Sequence, residues 1–140
     1  MNNFDWNIDS IGKWNKKTFP QNTTRGQRIK CKHEAEEYFK ASTHPERIDE
    51  LADFYIANAG LYGRFSDESG RLVCELIKDL FCWPEVNTAV QKKMQINLKR
   101  KWYKTHHGEW RHVENDEKSN VRRANTLAKA KSVGNGNDGQ

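Results

Sequence analysis

Between residues 26 and 102 the apolar residues recur three and four positions apart, which is the spacing of amphipathic helices. No segment alternates apolar and polar residues for long enough to predict a sheet. The spacing predicts four helices, over about residues 26–42, 45–62, 68–81 and 85–102. Helices this short suit a core shared between copies, so the predicted fold is an all-α, four-helix bundle protomer that oligomerises.

Residues that cap or break helices mark the ends of these segments. Thr43 and Glu46 have the spacing of a capping box, and the proline between them fits the first turn of a helix. Gly63 is placed to end the second predicted helix, and residues 66–69 supply a cap and acidic side chains for the next one. Pro84 is expected to stop the third helix, because proline lacks the backbone donor that a helix interior needs.

The two ends of the chain lack this periodicity. Residues 1–28 place Trp14 and Phe19 among polar residues, which predicts an extended aromatic arm that packs on another part of the protein. Residues 29–114 are expected to form the functional domain. Residues 115–140 are polar and end in a glycine-containing stretch, which predicts a disordered tail.

Composition limits the class of protein. Of the 140 residues, 35% are hydrophobic and 31% are charged, so one protomer has little apolar material for a deep core. Self-association as a homodimer or homotetramer is therefore expected. The sequence has neither an apolar stretch of membrane-span length nor a secretion signal at its start, which predicts a cytoplasmic protein with no membrane partner. Its three cysteines are expected to be free thiols.

The formal net charge of +5 conceals two segments of opposite charge. Residues 34–53 hold seven acidic and two basic residues, a balance of −5. Residues 88–112 hold seven basic residues and one acidic residue, a balance of +6. A simple nucleic-acid-binding protein has no use for the acidic segment, whereas a site that holds cations and phosphate groups together needs both signs.

Four acidic residues have a spacing that indicates a metal site. Glu34 and Glu37 project from one face of the first predicted helix, and Glu50 and Asp53 repeat the spacing on the second. If these helices pack antiparallel, four carboxylates converge and repel one another unless cations are bound. Mg²⁺ prefers carboxylate and phosphate oxygens, so it is the expected cofactor. The alternative interpretation is that these acidic residues lie on solvated helix faces and bind no metal.

A second group of polar residues lies on the fourth predicted helix. Lys93, Asn97 and Arg100 are spaced so that they share one helix face. Lysine and arginine bind phosphate oxygens, while asparagine offers both a donor and an acceptor to a sugar or a base. Trp102 and Trp110 lie nearby, where their rings can stack on a base, although a core or interface role is the alternative.

Together these motifs resemble those of MazG-like all-α nucleoside triphosphate pyrophosphohydrolases, in particular the phage and bacterial branch that acts on dATP and dGTP. The likeness covers about residues 12–114. It rests on Trp14, Thr18-Phe19, His33 through Glu37, Glu50 through Asp53, Lys93 through Trp102, and Trp110 through Val113. A phage-encoded member would act in the cytoplasm of the host.

The resemblance implies a helical protomer that forms dimers or dimers of dimers, binds Mg²⁺ or Mn²⁺, and cleaves between the α and β phosphates. The implied substrate is a purine deoxynucleoside triphosphate, dGTP or dATP. The implied metal ligands are Glu34, Glu37, Glu50 and Asp53, with Glu34 or Glu37 also helping to deprotonate the attacking water. The expected nucleotide-binding residues are Lys93, Asn97, Arg100 and Trp102.

Two other interpretations remain open at the level of sequence. A DNA-binding or phage regulatory protein could use the basic segment from Lys92 to Lys104 as a groove-reading helix, without catalysis. A hydrolase for dUTP or for a guanosine alarmone would share the carboxylates and differ in the base pocket. The first interpretation leaves the acidic pairs unexplained, and spacing alone does not separate the second from a purine-specific enzyme.

Overall fold

A computed structural model describes residues 5–106, 108 and 110–113. These residues form five α-helices followed by a two-stranded antiparallel sheet. The elements are α1 (Ile8–Thr18), α2 (Thr24–Lys40), α3 (His44–Phe65), α4 (Glu68–Leu80), α5 (Trp83–Asn97), β1 (Trp102–Lys104) and β2 (Trp110–His112). The prediction of a mostly helical protein is confirmed, and the predicted tail, residues 115–140, lies outside the described residues.

Helix α3 is the central element, because it contacts each of the other four helices. Its side chains Leu51, Tyr55 and Ile56 are buried in a core that also includes Ile11 of α1 and Met94 of α5. The three cysteines are free thiols, as predicted. Among the described helices, none combines the length and the apolar character that crossing a bilayer requires.

The first helix corrects the prediction of an extended aromatic arm. Helix α1 begins with a capping box, in which Asn7 and Ser10 each accept a hydrogen bond from the other's backbone N–H. Its buried residues are Ile11, Gly12 and Asn15, and only the isoleucine is a large apolar side chain. Ile8 and Trp14 pack against the same core as Ile11, but a stripe of three apolar residues interrupted by buried glycine and asparagine was too short for periodicity to predict this helix.

A β-hairpin corrects the predicted end of the fourth helix. Helix α5 ends at Asn97, and Trp102 lies in β1 instead of on the helix. Leu98, the residue directly after the helix, is 52% exposed. In the turn, Gly108 has a φ of +91°, a conformation that glycine adopts without strain. A Cβ on Gly26 would overlap the Gly108 carbonyl oxygen, so the turn lies directly against the start of α2.

The structure confirms two of the predicted helix signals and overturns a third. Thr43 and Glu46 form the expected capping box at the start of α3, and Asp67 caps α4. Gly63 does not end its helix, because α3 continues to residue 65. This glycine instead allows a close crossing of α1 and α3, where its backbone lies against Gly12.

Candidate metal and nucleotide site

One pocket is lined by residues of α1, α2, α3, α5 and the hairpin. It encloses about 1080 Å³ of space, part of it open to solvent. The eight residues that the sequence motifs selected all line it: Glu34, Glu37, Glu50, Asp53, Lys93, Asn97, Arg100 and Trp102.

Three carboxylates form a compact cluster at one end of this pocket. Oxygen atoms of Glu34, Glu50 and Asp53 lie within 4.8 Å of one another. Glu34 comes from α2 and is buried, whereas Glu50 and Asp53 are partly buried on α3. Glu37 also lines the pocket, but it lies outside this cluster and its side chain is 3.6 Å from Lys40. The predicted convergence of two helical acid pairs is therefore seen most tightly for three of the four residues.

Two lysines partly neutralise this carboxylate cluster. Lys30 lies 2.9 Å from Glu34, and Lys93 lies 3.3 Å from Asp53. Both ammonium groups belong to side chains that are less than one-fifth exposed, at 17% and 14%. Ion pairs that are shielded from water in this way interact more strongly than pairs on the surface. Two cations among three carboxylates still leave the cluster with an excess of negative charge.

The pKa values of the three carboxyl groups are shifted by burial and by the charges of their neighbours. Burial and the charges of Asp53 and Glu34 raise the pKa of Glu50 to about 7. Burial and the charge of Glu34 raise the pKa of Asp53 to about 6, although Lys93 opposes the shift. For Glu34, burial favours the neutral acid, but the charge and hydrogen bond of Lys30 outweigh it and lower the pKa. The cluster therefore favours binding of a proton or another cation near neutral pH.

We expect the stability of the metal-free protein to fall as pH rises through the titration of Glu50. The pKa of Glu50 is 4.5 as an isolated group and about 7 in the folded protein. Between these values the folded state holds more protons than the unfolded state, so each rise in pH lowers the free energy of unfolding. Glu50→Gln should consequently stabilise the protein more above pH 7 than below pH 4.5.

Thermal unfolding in the presence of a chelator measures this difference. Glu36→Gln is the matched control, because Glu36 is exposed on α2 and does not line the pocket. It should shift the melting temperature equally at both pH values. An identical effect of Glu50→Gln at the two pH values would contradict the crowding that raises its pKa.

Helix α5 and the residues that follow it bring basic and amide groups to the pocket. Asn97 is buried at the end of α5, and its side-chain oxygen accepts a hydrogen bond from Arg100 at 2.9 Å. Arg100 follows the helix instead of extending it, so the predicted single helix face is wrong in detail. For Lys93, burial favours the neutral amine, but the charges of Asp53 and Asp49 outweigh it and raise its pKa. Lys93 is therefore a stable cation beside the carboxylate cluster.

Four aromatic rings form a wall at the hairpin end of the pocket. We call Trp14, Phe19, Trp102 and Trp110 the aromatic wall. The ring centroid of Phe19 lies 5.0 Å from that of Trp102 and 5.0 Å from that of Trp110. The Trp14 ring packs edge-on against both Phe19 and Trp102. Residues from the two ends of the described chain thus meet to make a largely apolar, aromatic surface, on which a ring-shaped ligand can pack.

A buried amide network supports the pocket beside this wall. The side-chain oxygen of Gln27 accepts hydrogen bonds from Asn15 at 3.0 Å and Asn22 at 2.8 Å. The Gln27 side-chain nitrogen donates to the carbonyl oxygen of Ala57 at 2.8 Å. Arg64 donates to the side-chain oxygen of Asn15, which joins α3 to α1. These bonds fix α1, α2 and α3 relative to one another and engage the amides within the protein.

Several residues that line the pocket were not predicted as site residues from the sequence. Lys30 lies four positions before Glu34, a spacing that could have identified it as an ion-pair partner. Gln27 and Asn22 carry no such signal, because their importance comes from contacts between elements. Arg111 and His112 lie within the matched motif from Trp110 to Val113, but they were not predicted as site residues, because their place at the pocket depends on a hairpin that helical periodicity did not predict.

Comparisons with family models, with curated proteins and with solved structures found no match to this chain.

Proposed function

We propose that this protein is a Mg²⁺-dependent nucleotide pyrophosphohydrolase that converts a purine deoxynucleoside triphosphate, dGTP or dATP, to the monophosphate and pyrophosphate. The observation that carries the proposal is the composition of one pocket, in which a carboxylate cluster, cationic side chains and an aromatic wall lie together. These three features match the metal-binding, phosphate-binding and base-binding needs of a nucleotide. The motifs that resemble MazG-like pyrophosphohydrolases support the same assignment.

The donor set of the carboxylate cluster fits a hard divalent cation. Glu34, Glu50 and Asp53 offer only oxygen ligands, and their spacing of at most 4.8 Å allows them to share one ion. Mg²⁺ or Mn²⁺ held there, with Glu37 as a further ligand, would supply neutralisation of the triphosphate and a more acidic bound water. The excess negative charge of the cluster favours binding of such a cation.

The remaining groups in the pocket have separate roles in the proposed reaction. A water oxygen forms a bond to the α phosphorus, the bond to the bridging oxygen breaks, and pyrophosphate leaves with that electron pair. Glu37 or Glu34 accepts the proton of the water, and Glu37 is favoured because it lines the pocket outside the three-carboxylate cluster. Lys93 and Arg100 stabilise the negative charge that develops on pyrophosphate. Asn97 accepts a hydrogen bond from Arg100, and Trp102 belongs to the aromatic wall at the end of the pocket proposed to hold the base.

A nucleotide panel tests the proposal. The purified protein is incubated with Mg²⁺ and each of the common ribonucleoside and deoxynucleoside triphosphates, with dUTP and a guanosine alarmone included. We expect a monophosphate and pyrophosphate from dGTP or dATP, with little product from pyrimidine nucleotides. Preference for dUTP or the alarmone would transfer the assignment to those hydrolases, and release of inorganic phosphate with a diphosphate would overturn the cleavage position.

The structure disfavours a groove-reading role for the basic segment. Lys93 is 14% exposed and Asn97 is 5% exposed, so both side chains face the pocket instead of lying along an outer surface. Helix α5 ends before most of the basic residues that were expected to continue it. Nucleic-acid binding in that form would need these side chains to reach base edges or phosphates outside the protein.

We also propose that the protein self-associates through an exposed apolar face of α4. Leu72, Leu76 and Leu80 follow one another at helical spacing and are 51%, 54% and 71% exposed. Beside them Arg71 pairs with Glu68 and Glu75 of its own helix, which leaves a face with little net charge. Such a face is compatible with a second copy of itself, and large exposed apolar patches mark interaction surfaces.

Substitution within this face tests self-association. We expect Leu76→Glu to convert a dimer or tetramer to a monomer, because a buried unpaired carboxylate opposes assembly. Light scattering on a sizing column measures the mass. Leu98→Glu is the control, because Leu98 is similarly exposed at 52% but lies outside α4. An assembly that survives Leu76→Glu, or a monomeric starting protein, would exclude this interface.

A further inference from the structure

The hairpin presents two tryptophans to the pocket from the same face. In its register Trp102 pairs with His112, and Lys104 pairs with Trp110. Directly paired residues and residues two positions apart along a strand share a face of a sheet, so Trp102 and Trp110 are diagonal neighbours. Both line the pocket, and Phe19 packs against both rings.

The indole N–H groups of these tryptophans differ from the nearby side-chain amides in their hydrogen bonding. The indole Nε1 atoms of Trp102 and Trp110 are buried and have no hydrogen-bond partner among the described residues. Asn15, Asn22 and Gln27, by contrast, have their side-chain groups engaged in the amide network. A buried donor without a partner costs free energy, and most buried polar groups in proteins are paired. Two such donors beside one pocket indicate a ligand that brings acceptors.

We propose that the indole N–H groups of Trp102 and Trp110 bind the acceptor edge of a guanine base and select it over adenine. This inference rests on the proposed nucleotide site. Guanine presents two adjacent acceptors, O6 and N7, whereas adenine presents N7 beside an amino group that is itself a donor. A pair of donors therefore satisfies both acceptors on this edge of guanine and leaves one donor opposed to the adenine amino group. Discrimination of this kind is strong, because the wrong base leaves buried polar groups unpaired.

The same placement divides the pocket into two compartments. The carboxylate cluster and Lys93 lie on α2, α3 and α5, whereas both selecting tryptophans lie on the hairpin. The hairpin would thus determine which base is accepted, and the helices would act on the phosphates. Changes in the hairpin should alter base preference without removing the carboxylates.

Binding of nucleoside monophosphates tests this inference without requiring hydrolysis. We expect the protein to bind dGMP about 30-fold more tightly than dAMP in calorimetric titrations, which corresponds to one buried donor left unpaired by adenine. Trp102→Phe and Trp110→Phe keep an aromatic ring and remove the N–H. Each should weaken dGMP binding by about fivefold or more. The variant that has lost the donor to O6 should not weaken dAMP binding, whereas the variant that has lost the donor to N7 should weaken it, because adenine also presents N7.

Two controls make the result specific. Trp83→Phe is the matched substitution, because Trp83 packs on Tyr55 and does not line the pocket, so it should leave both affinities unchanged. The analogue 7-deaza-dGMP lacks the N7 acceptor and should bind the wild-type protein more weakly than dGMP. The variant that has lost the donor to N7 should no longer distinguish dGMP from this analogue. Circular dichroism checks that each variant is folded.

The outcomes separate this inference from the proposed enzyme activity. Equal binding of dGMP and dAMP, preference for dAMP, or unchanged dGMP binding in both tryptophan variants would overturn guanine selection, even if nucleotide hydrolysis is observed. Selective dGMP binding that both variants lose would support it, even if no triphosphate is hydrolysed. In that second case the pyrophosphohydrolase assignment would fail and the guanine site would stand.

Discussion

Replacement of Asp53 by asparagine is expected to lower Mg²⁺-dependent pyrophosphate release by about 100-fold or more. Asp53 contributes to the three-carboxylate cluster and lies 3.3 Å from Lys93. The neutral amide removes one charged ligand from the proposed metal site, and loss of one electrostatic stabiliser of a transition state costs about 3 kcal/mol. That free energy corresponds to about 100-fold in rate when it is lost from the transition state. A coupled pyrophosphate assay over a range of Mg²⁺ concentrations measures the effect.

The neighbouring residue Asp49 provides the matched control. It is exposed on the same helix and does not line the pocket, so Asp49→Asn should retain most of the activity. Asp53→Asn should keep the helical circular dichroism of the wild-type protein, because burial and Glu34 already disfavour the charge on Asp53. Unchanged pyrophosphate release in folded Asp53→Asn would exclude this carboxylate from the proposed chemistry.

Replacement of Gly12 by alanine is expected to destabilise the protein by about 2 kcal/mol or more, which is typical of overpacking a close contact. A methyl group at Gly12 would lie 2.7 Å from the Gly63 Cα atom and closer still to its carbonyl group. The contact is between two backbones, so no side chain can rotate away to relieve it. Helix propensity predicts the opposite sign, a gain of about 1 kcal/mol when alanine replaces glycine inside a helix.

Chemical denaturation followed by circular dichroism distinguishes these two expectations. Lys16→Ala is the control, because Lys16 is exposed on the same helix and its replacement should leave stability nearly unchanged. Displacement of α1 should also weaken nucleotide binding, since Trp14 and Asn15 line the pocket. A more stable Gly12→Ala protein would show that α1 and α3 do not cross as closely as described.

The parts of the fold that local chemistry determines were predictable. The capping box of Thr43 and Glu46 and the apolar residues at helical spacing predict helix α3. The same periodicity predicted that Glu34 and Glu37 lie on one helix and that Glu50 and Asp53 lie on the next. In the structure all four residues line one pocket. These relationships depend on residues three and four positions apart, and spacing along a helix encodes them directly.

The parts that depend on contacts between distant elements were not predictable. Helix α1 buries Gly12 and Asn15, whose value lies in a close crossing and in an amide network, and neither leaves an apolar pattern. The hairpin places Trp102 on a strand because it pairs with His112, whereas periodicity extended the helix to it. Sequence motifs thus included the polar and aromatic residues of the pocket but did not predict the first helix and the hairpin that bring the aromatic residues together.

The aromatic wall also has a consequence for the order in which the site is completed during synthesis. All four acidic pocket residues lie within residues 34–53, so the contacts that gather them close only short loops. Phe19 instead meets Trp102 and Trp110, more than eighty positions further along the chain. Closing a loop of that length costs more chain entropy. Of the described elements, the hairpin that carries Trp102 and Trp110 leaves the ribosome last. A nascent chain therefore acquires its acidic cluster before the wall against which a base could rest.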